Sequence, residues 1–131
     1  MRGAPRDAVR ERAAARCEYC RLPDAADEWP FHVDHVIALQ QGGSDALDNL
    51  WWACSRCNLY KGPNISSVEA KDAAPVPLFN PRRDRWEEHF QLDSGRIIGR
   101  TPVGRVTVRL LAMNASNRID LRQQLSALGE L

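Results

Sequence analysis

The 131-residue chain lacks any long hydrophobic run. No stretch approaches the roughly 20 consecutive apolar residues that a membrane-spanning helix needs. The N-terminal segment, residues 1–16, is rich in arginine and alanine and has neither the apolar core nor the cleavage pattern of a secretory signal peptide. The length fits a single domain spanning residues 1–131. We therefore expect a one-domain cytoplasmic protein with no membrane partner.

Lysine is also scarce. Of 18 lysines and arginines only Lys61 and Lys71 are lysines, and the formal net charge is just +1. Charge alone therefore does not indicate a nucleic-acid partner. Arginine does suit planar, two-pronged contact with phosphate, although a solvated arginine surface is the simpler explanation. The candidates for phosphate binding are Lys61, Arg56, Arg82, Arg83 and Arg85.

Only four cysteines occur, and none is left over from two C-x-x-C pairs, Cys17 with Cys20 and Cys54 with Cys57. Structural disulfides are rare in the cytoplasm. A C-x-x-C turn presents two thiolates on one side of a tight loop, and zinc prefers four such ligands. A redox pair would explain either half alone but not the presence of both. The spacing therefore predicts a structural zinc site.

Hydrophobic patterns and turn residues predict the elements of the first half of the chain. A helix is expected over Pro5–Arg16, and strands over Trp29–Ile37 and Leu50–Ala53. Gly42 and Gly43 mark the loop between the strands, residues 40–48. A helix or helical turn should open at Asn58–Lys61.

The second half, from about residue 75, is expected to be a largely helical extension. A turn-rich linker at residues 73–77 precedes it, and a strand is predicted at residues 96–98. Thr101 and Pro102 form a good helix start, with threonine as cap and proline in the first position. A last helix is expected over residues 116–128. Trp86 and Phe90 are at helical spacing, which favours the core over base stacking.

Four polar residues between the cysteine pairs have the chemistry of a hydrolytic site. His35 is an acid–base group near neutrality, and Asp34 offers a carboxylate to a hard cation such as Mg²⁺ or Mn²⁺. Asn58 offers an amide oxygen, and Asn49 can hold a loop through side-chain to backbone bonds. Each alone has an ordinary explanation: a structural histidine, a solvated aspartate, a helix cap or a turn residue. In combination they favour a site, because one zinc centre would force them together.

These residues stand in an order that resembles a known family. The pattern comprises Cys17-x-x-Cys20, Asp34-His35-Val36, Gly42-Gly43, Asn49-Leu50 and Cys54-x-x-Cys57-Asn58-x-x-Lys61. It is similar to that of the HNH endonucleases with a zinc-bound ββα-metal fold, and the resemblance covers about residues 12–63. It implies a small ββα-metal core held by a four-cysteine zinc knuckle. With the N-terminal helix and the helical C-terminal extension predicted from the residues (about 75–131), the expected fold class is α+β.

The resemblance also implies a role for each matching position. His35 corresponds to the catalytic general base, and Asn49 to the asparagine that braces the loop and the base. Asp34 and Asn58 correspond to the ligands of the catalytic metal. Cys17, Cys20, Cys54 and Cys57 correspond to the ligands of the structural zinc.

Two positions depart from the family pattern. Asparagine rather than histidine stands at position 58, which shifts the expected metal towards Mg²⁺ or Mn²⁺. Ala38 replaces a frequent proline and should affect only loop rigidity. Because neighbours on a strand face opposite sides, Asp34 and His35 can serve one site only if the strand ends or bends there. His32, on the side of Asp34, is expected to be structural or to face phosphate.

The expected function is metal-dependent hydrolysis of phosphodiester bonds, with DNA as the expected substrate. The alternative is a zinc-knuckle module that binds nucleic acid or another protein without catalysis. That alternative explains the cysteines and arginines as well, but it gives no reason for the set His35, Asn49 and Asn58 with Asp34. The sequence does not determine the recognition site or the oligomeric state.

Overall fold

The structure is a computed structural model and describes residues 4–131. Helices and strands follow one another as α1 (Ala4–Arg12), β1 (His32–His35), β2 (Leu50–Ala53), α2 (Ser55–Lys61), β3 (Ser66–Ser67), β4 (Val76–Pro77), α3 (Trp86–His89), β5 (Phe90–Asp93), β6 (Arg96–Gly99), α4 (Pro102–Leu110) and α5 (Ser116–Ala127). Within residues 4–131, no helix is long and apolar enough to cross a membrane.

A hairpin followed by a helix forms the centre of the fold. β1 and β2 pair antiparallel, with His35 opposite Leu50 and His32 opposite Ala53. The connecting loop (residues 36–49) joins them, and α2 follows β2 after a single residue, Cys54. This ββα unit, the buried cysteines and the mixture of helices and short strands confirm the predicted α+β fold.

The first helix is shorter than predicted. α1 ends at Arg12, not Arg16, because Ala14 and Ala15 adopt positive φ values of 54° and 59°, which a right-handed helix cannot contain. The side chain of Arg12 donates to the carbonyls of Leu47 (2.8 Å) and Leu50 (2.6 Å). The helix is thereby fixed to the entry of β2.

The first strand is also shorter than predicted, and α2 begins earlier. β1 covers only His32–His35, and the chain bends at residues 36–37, where Asn49 takes over the backbone hydrogen bonds. Trp29 lies outside the strand and is 63% exposed. α2 starts at Ser55 rather than Asn58, because Cys54 acts as its N-cap and accepts from the Cys57 amide at 3.3 Å.

The second half packs onto this unit through aromatic side chains. Phe79 lies edge-on to Tyr19 at 5.6 Å between ring centroids, and Trp86 donates from Nε1 to the Tyr19 carbonyl at 2.8 Å. Trp86 also packs against the buried Phe90, with ring centroids 5.1 Å apart. The expected core role of both residues is therefore confirmed.

The C-terminal elements follow the predictions closely. The expected strand lies within β6, which pairs antiparallel with β5, a strand that the sequence did not indicate. Thr101 caps α4 by accepting from the Gly104 amide at 3.1 Å, and Pro102 is its first residue. α5 begins at the predicted Ser116 and ends one residue early, at Ala127.

Candidate metal centre and active site

The four cysteines converge in the core. All four are buried and free of disulfides, and their Sγ atoms all lie within 4.8 Å of one another. The Sγ atoms of Cys20 and Cys54 are 3.8 Å apart. A tetrahedral zinc ion with Zn–S bonds of about 2.3 Å requires sulfur–sulfur separations of roughly 3.8 Å. The cluster can therefore hold a metal such as zinc, and we call it the cysteine knuckle (Cys17, Cys20, Cys54 and Cys57).

The thiols of the knuckle perturb one another strongly. Burial, with hydrogen bonds among the thiols, holds the pKa of Cys17 well above its usual value. Hydrogen bonds from the other thiols also raise the pKa of Cys57, whereas those received by Cys20 hold its pKa well below the usual value. A bound cation is what would make four thiolates stable together.

His35 lies at the end of β1 with its two ring nitrogens in different surroundings. Nε2 is 2.7 Å from the Oδ1 atom of Asp45, and Nδ1 is 3.9 Å from the Oδ1 atom of Asp34. The side chain is 21% exposed, so one edge remains accessible. Asp34 and His35 approach each other although they are neighbours in β1, and the strand ends at His35, directly before the bend at residues 36–37.

Asn49 closes the connecting loop. Its Oδ1 atom accepts from the Ile37 amide at 2.9 Å, and Nδ2 donates to the carbonyls of Ile37 (2.9 Å) and Ser44 (2.7 Å). Its own carbonyl accepts from the Val36 amide at 2.8 Å. The side chain is buried, so these bonds satisfy backbone groups that water cannot reach. Both ends of the loop are held beside His35 as a result.

Gly43 is the reason that the loop can pack so closely. A Cβ atom at this position would lie 1.8 Å from the Ile37 carbonyl oxygen and 2.7 Å from Nδ2 of Asn49. Only a residue without a side chain fits there. The neighbouring Gly42 has a different role, since its φ of 91° favours glycine while nothing lies within 4 Å of its Cβ position.

Asn58 lies on α2, which packs against β1. The side chain is half-buried, and it is not the helix cap, since Cys54 fills that position. Within residues 4–131, its carboxamide has no hydrogen-bond partner. Asp34 and Asn58 therefore offer a partly exposed carboxylate and an unengaged amide oxygen, which are the donors that a hard divalent cation prefers.

Lys61 occupies an interior position. It is 1% exposed, and its Nζ atom lies 3.5 Å from the carbonyl oxygen of His35. Burial lowers its pKa, and the negative charge of Asp34 opposes that shift. The ammonium group thus lies beneath β1 and not on the surface, where a phosphate contact was expected to place it.

The arginine candidates divide by exposure. Arg82 forms a nearly buried ion pair with Glu18, whose other carboxylate oxygen accepts from the Trp52 amide at 2.8 Å. Arg83 and Arg85 are exposed. The guanidinium of Arg56 lies 5.7 Å from the ring centroid of Tyr60 and donates to Asn117 at 3.4 Å. Arg83 and Arg85 are therefore the most accessible of the set.

Sequence reasoning missed Asp45, the only carboxylate in the described chain that hydrogen-bonds His35. It follows Gly43 and Ser44 in the connecting loop, which must return to the end of β1 to form the hairpin. The signal available in the sequence was an acidic residue in this loop, which has to fold back towards the end of β1. The buried Arg118 and Arg122 on α5 were also not anticipated, because a helical pattern normally places arginine on the exposed face.

Comparison with known proteins bears directly on this site. The family model described as HNH endonuclease matches residues 17–64, which include the cysteine knuckle, His35, Asn49 and Asn58. No curated protein and no solved structure matches the chain. The family match confirms the resemblance found in the sequence. This chain therefore contains an HNH endonuclease domain, at residues 17–64, which implies a nuclease-type function and interaction with nucleic acid.

Proposed function

We propose that this protein is a metal-dependent endonuclease that hydrolyses phosphodiester bonds in DNA, with His35 as general base. One observation carries the proposal: His35 is partly exposed and is oriented by Asp45 through Nε2, while Nδ1 faces Asp34. A general base needs a free nitrogen within reach of water and a partner that fixes the ring. His35 has both, inside a segment that matches the HNH family.

The proton path follows from the two ring nitrogens. In the tautomer with its proton on Nε2, His35 donates a hydrogen bond to the Asp45 carboxylate and keeps the lone pair on Nδ1. Nδ1 then takes the proton of an attacking water on the side of Asp34. The carbonyl of His35 accepts from Nε1 of Trp51 at 3.3 Å, so the backbone beneath the ring is also held. The expected products carry 5′-phosphate and 3′-hydroxyl ends.

Two side chains would hold the catalytic cation. Asp34 contributes a carboxylate and Asn58 an amide oxygen, a set of hard donors that suits Mg²⁺ or Mn²⁺. When bound, the cation supplies stabilisation of the negative charge that develops on the phosphate and the leaving oxygen. A structural Zn²⁺ would be held by the cysteine knuckle, where it would join the start of α2 to the turn that carries Cys17 and Cys20.

The substrate backbone would meet exposed arginines. Arg83 and Arg85 are accessible, and Arg56 lies on α2, the helix that carries Asn58. The two-pronged guanidinium fits phosphate oxygens and fixes the position of the duplex without selecting its sequence. Arg82 is already paired with Glu18, so we assign it a structural role.

The decisive experiment compares His35→Ala with the wild type on plasmid and single-stranded DNA in Mg²⁺, Mn²⁺ or EDTA. General base catalysis contributes about 10²- to 10⁴-fold, so the variant should lose cleavage to that extent. Its zinc content and far-ultraviolet circular dichroism should match the wild type, because the imidazole is outside the buried core.

His32→Ala is the matched control, since His32 is an exposed histidine on the same strand. Its cleavage rate should stay near that of the wild type. Full activity of His35→Ala would refute the assignment of the base. DNA binding without metal-dependent cleavage by the wild type would instead identify a non-catalytic zinc-knuckle module.

A further inference from the structure

Two buried arginines lie one turn apart on α5. Arg118 is 8% exposed and Arg122 is 0% exposed, and at a spacing of four residues they share one face of the helix. Burial of a guanidinium is costly unless an opposite charge or a full set of hydrogen bonds compensates it. A nearby source of negative charge is therefore required.

A carboxylate supplies this negative charge for Arg118 but not for Arg122. Arg118 has the Asp27 carboxylate at 3.3 Å, in a nearly buried pair. Arg122 donates to the carbonyls of Gly95 (2.6 Å) and Met113 (2.5 Å), and within residues 4–131 no carboxylate lies within salt-bridge distance. Its Nη1 atom is buried without any hydrogen-bond partner.

The thiols of the cysteine knuckle act electrostatically on both arginines, and Arg118 lines one cavity with Ser55 and Arg56, the two residues between Cys54 and Cys57. Burial lowers the pKa of Arg122, and the negative charges of Cys20 and Cys57 oppose that shift. Burial acts the same way on Arg118, but Cys54 and Cys20, followed by Asp27, outweigh it and raise the pKa.

Packing places the same helix face in the core that also holds the knuckle. Leu125, a further turn along α5, belongs to the buried core cluster that contains all four cysteines. At the start of α5, Asn117 accepts from Arg56 at 3.4 Å. Arg56 lies between Cys54 and Cys57 in sequence, so this bond joins α5 to the second half of the knuckle.

The charges complement each other. Four thiolates around one Zn²⁺ leave a net charge of −2, held where water cannot screen it. Two guanidinium groups supply +2, with Asp27 taking part of the charge of Arg118. Arg122, which lacks a carboxylate, is the cation available to the thiolates.

We propose that Arg118 and Arg122 are the charge partners of a zinc-loaded cysteine knuckle, and that they couple zinc binding to the docking of α5. The inference rests on zinc at the knuckle and not on nuclease activity. Coupling of this kind is reciprocal: if the arginines favour zinc binding, zinc favours the docked helix.

The test measures zinc affinity by competition with a chromogenic chelator in the full chain. Arg122→Met removes the charge but keeps an apolar stem, and should weaken zinc binding about 10- to 100-fold, the range typical of groups that support metal ligands. Arg118→Met should weaken it less, because Asp27 already shares the charge of Arg118 and Arg122 remains. Arg122→Lys keeps a positive charge and should weaken binding less than Arg122→Met.

Two controls separate charge from helix packing. Arg105→Met removes an arginine of α4 that pairs with Glu69 at 2.6 Å on the surface, and zinc affinity should not change. Leu125→Ala loosens the apolar contact of α5 without removing charge, and its effect should be smaller than that of Arg122→Met. If Arg122→Met does not fold, the zinc affinities of Arg118→Met and Arg122→Lys are compared with those of the wild type and the two controls.

Hydrogen exchange supplies a second readout. In zinc-loaded protein, amides of residues 116–127 should exchange faster in Arg118→Met than in the wild type, while those of β1 and β2 stay protected. Unchanged zinc affinity in every arginine variant would overturn the proposal. So would a Leu125→Ala variant as weak in zinc binding as Arg122→Met, since docking alone would then explain the effect.

Discussion

At the scale of single residues, the site depends on how one imidazole is held. Nε2 of His35 is hydrogen-bonded to Asp45, and the backbone carbonyl of His35 accepts from Nε1 of Trp51. The Nζ atom of Lys61 lies 3.5 Å from the same carbonyl oxygen. The ring therefore has a defined orientation before any substrate binds. Preorganisation of this kind lowers the cost of reaching the reactive geometry.

Asp45→Asn tests the orienting contact. An amide at this position can still hydrogen-bond Nε2 but no longer carries a charge to favour the protonated ring that forms during the reaction. We expect kcat to fall about tenfold, a modest loss because Asp45 is 68% exposed and water screens it, with KM unchanged. Steady-state cleavage of a defined duplex measures both constants.

Asp48→Asn is the control for Asp45→Asn. Asp48 is an exposed acid in the same connecting loop, and its substitution changes the net charge equally. Its kcat should remain at the wild-type value. An equal loss in both variants, or a rise in KM alone, would mean that the loop charge acts on DNA binding and not on the base.

At the scale of elements, the connecting loop determines where β1 stops. The side chain of Asn49 forms hydrogen bonds of 2.9 Å with both the amide and the carbonyl of Ile37. These backbone groups would otherwise be available to continue the pairing of the strands. The strand therefore ends at His35 and turns. The turn therefore follows directly on the strand residues that carry the candidate site, Asp34 and His35.

Gly43→Ala should disrupt this arrangement. Its Cβ would approach the Ile37 carbonyl to 1.8 Å, so the loop must move away from the end of β1. We expect a loss of about 3 kcal/mol in the free energy of unfolding, at the upper end for overpacking, together with a strong loss of cleavage. Urea denaturation of zinc-loaded protein, followed by the fluorescence of the buried tryptophans, measures the first effect.

Gly42→Ala offers a matched comparison. It also adds one methyl group, and nothing lies within 4 Å of its Cβ position, so only the positive φ of 91° opposes it. A cost of about 1 kcal/mol is expected, with cleavage largely retained. If Gly42→Ala proved the more harmful of the two, backbone conformation rather than close packing would control the loop.

At the scale of the whole molecule, the C-terminal extension completes the core of the HNH domain. Phe79 packs on Tyr19, Trp86 donates to the Tyr19 carbonyl, and Arg82 pairs with Glu18. These contacts tie residues 79–86 to the first half of the knuckle. We propose on this basis that residues 4–131 fold as a single domain.

The surface of the extension should contribute to binding of DNA. The double variant Arg83→Ala, Arg85→Ala removes two exposed guanidinium groups, and each lost phosphate contact should reduce the slope of log K against log salt by about one. Fluorescence anisotropy of a labelled duplex over a range of salt concentrations measures this slope. The double variant Lys71→Ala, Arg96→Ala removes two exposed positive charges at other positions of the chain and serves as control.

A salt slope that does not change in Arg83→Ala, Arg85→Ala would show that these arginines form a solvated face. An equal reduction in the control would show that only net charge matters. A reduction specific to Arg83 and Arg85 would place the DNA backbone along the extension.

The sequence by itself determined the features that depend on local spacing. Two C-x-x-C turns predicted the knuckle, because the reach of each turn and the preference of zinc for four ligands leave little choice. β2 and the start of α4 were predicted at the correct residues, since an apolar run and a Thr-Pro cap act locally. The family was predicted from ordered motifs and confirmed by the match at residues 17–64.

Only the tertiary structure decided which side chains meet. The contact of Asp45 with His35 depends on the path of the connecting loop, and the end of β1 depends on bonds made by Asn49 twelve residues from Ile37. The burial of Lys61 and Arg122 reverses what their polarity predicts. Such placements follow from long-range packing and from charges brought together by folding, and neither leaves a periodic pattern in the sequence.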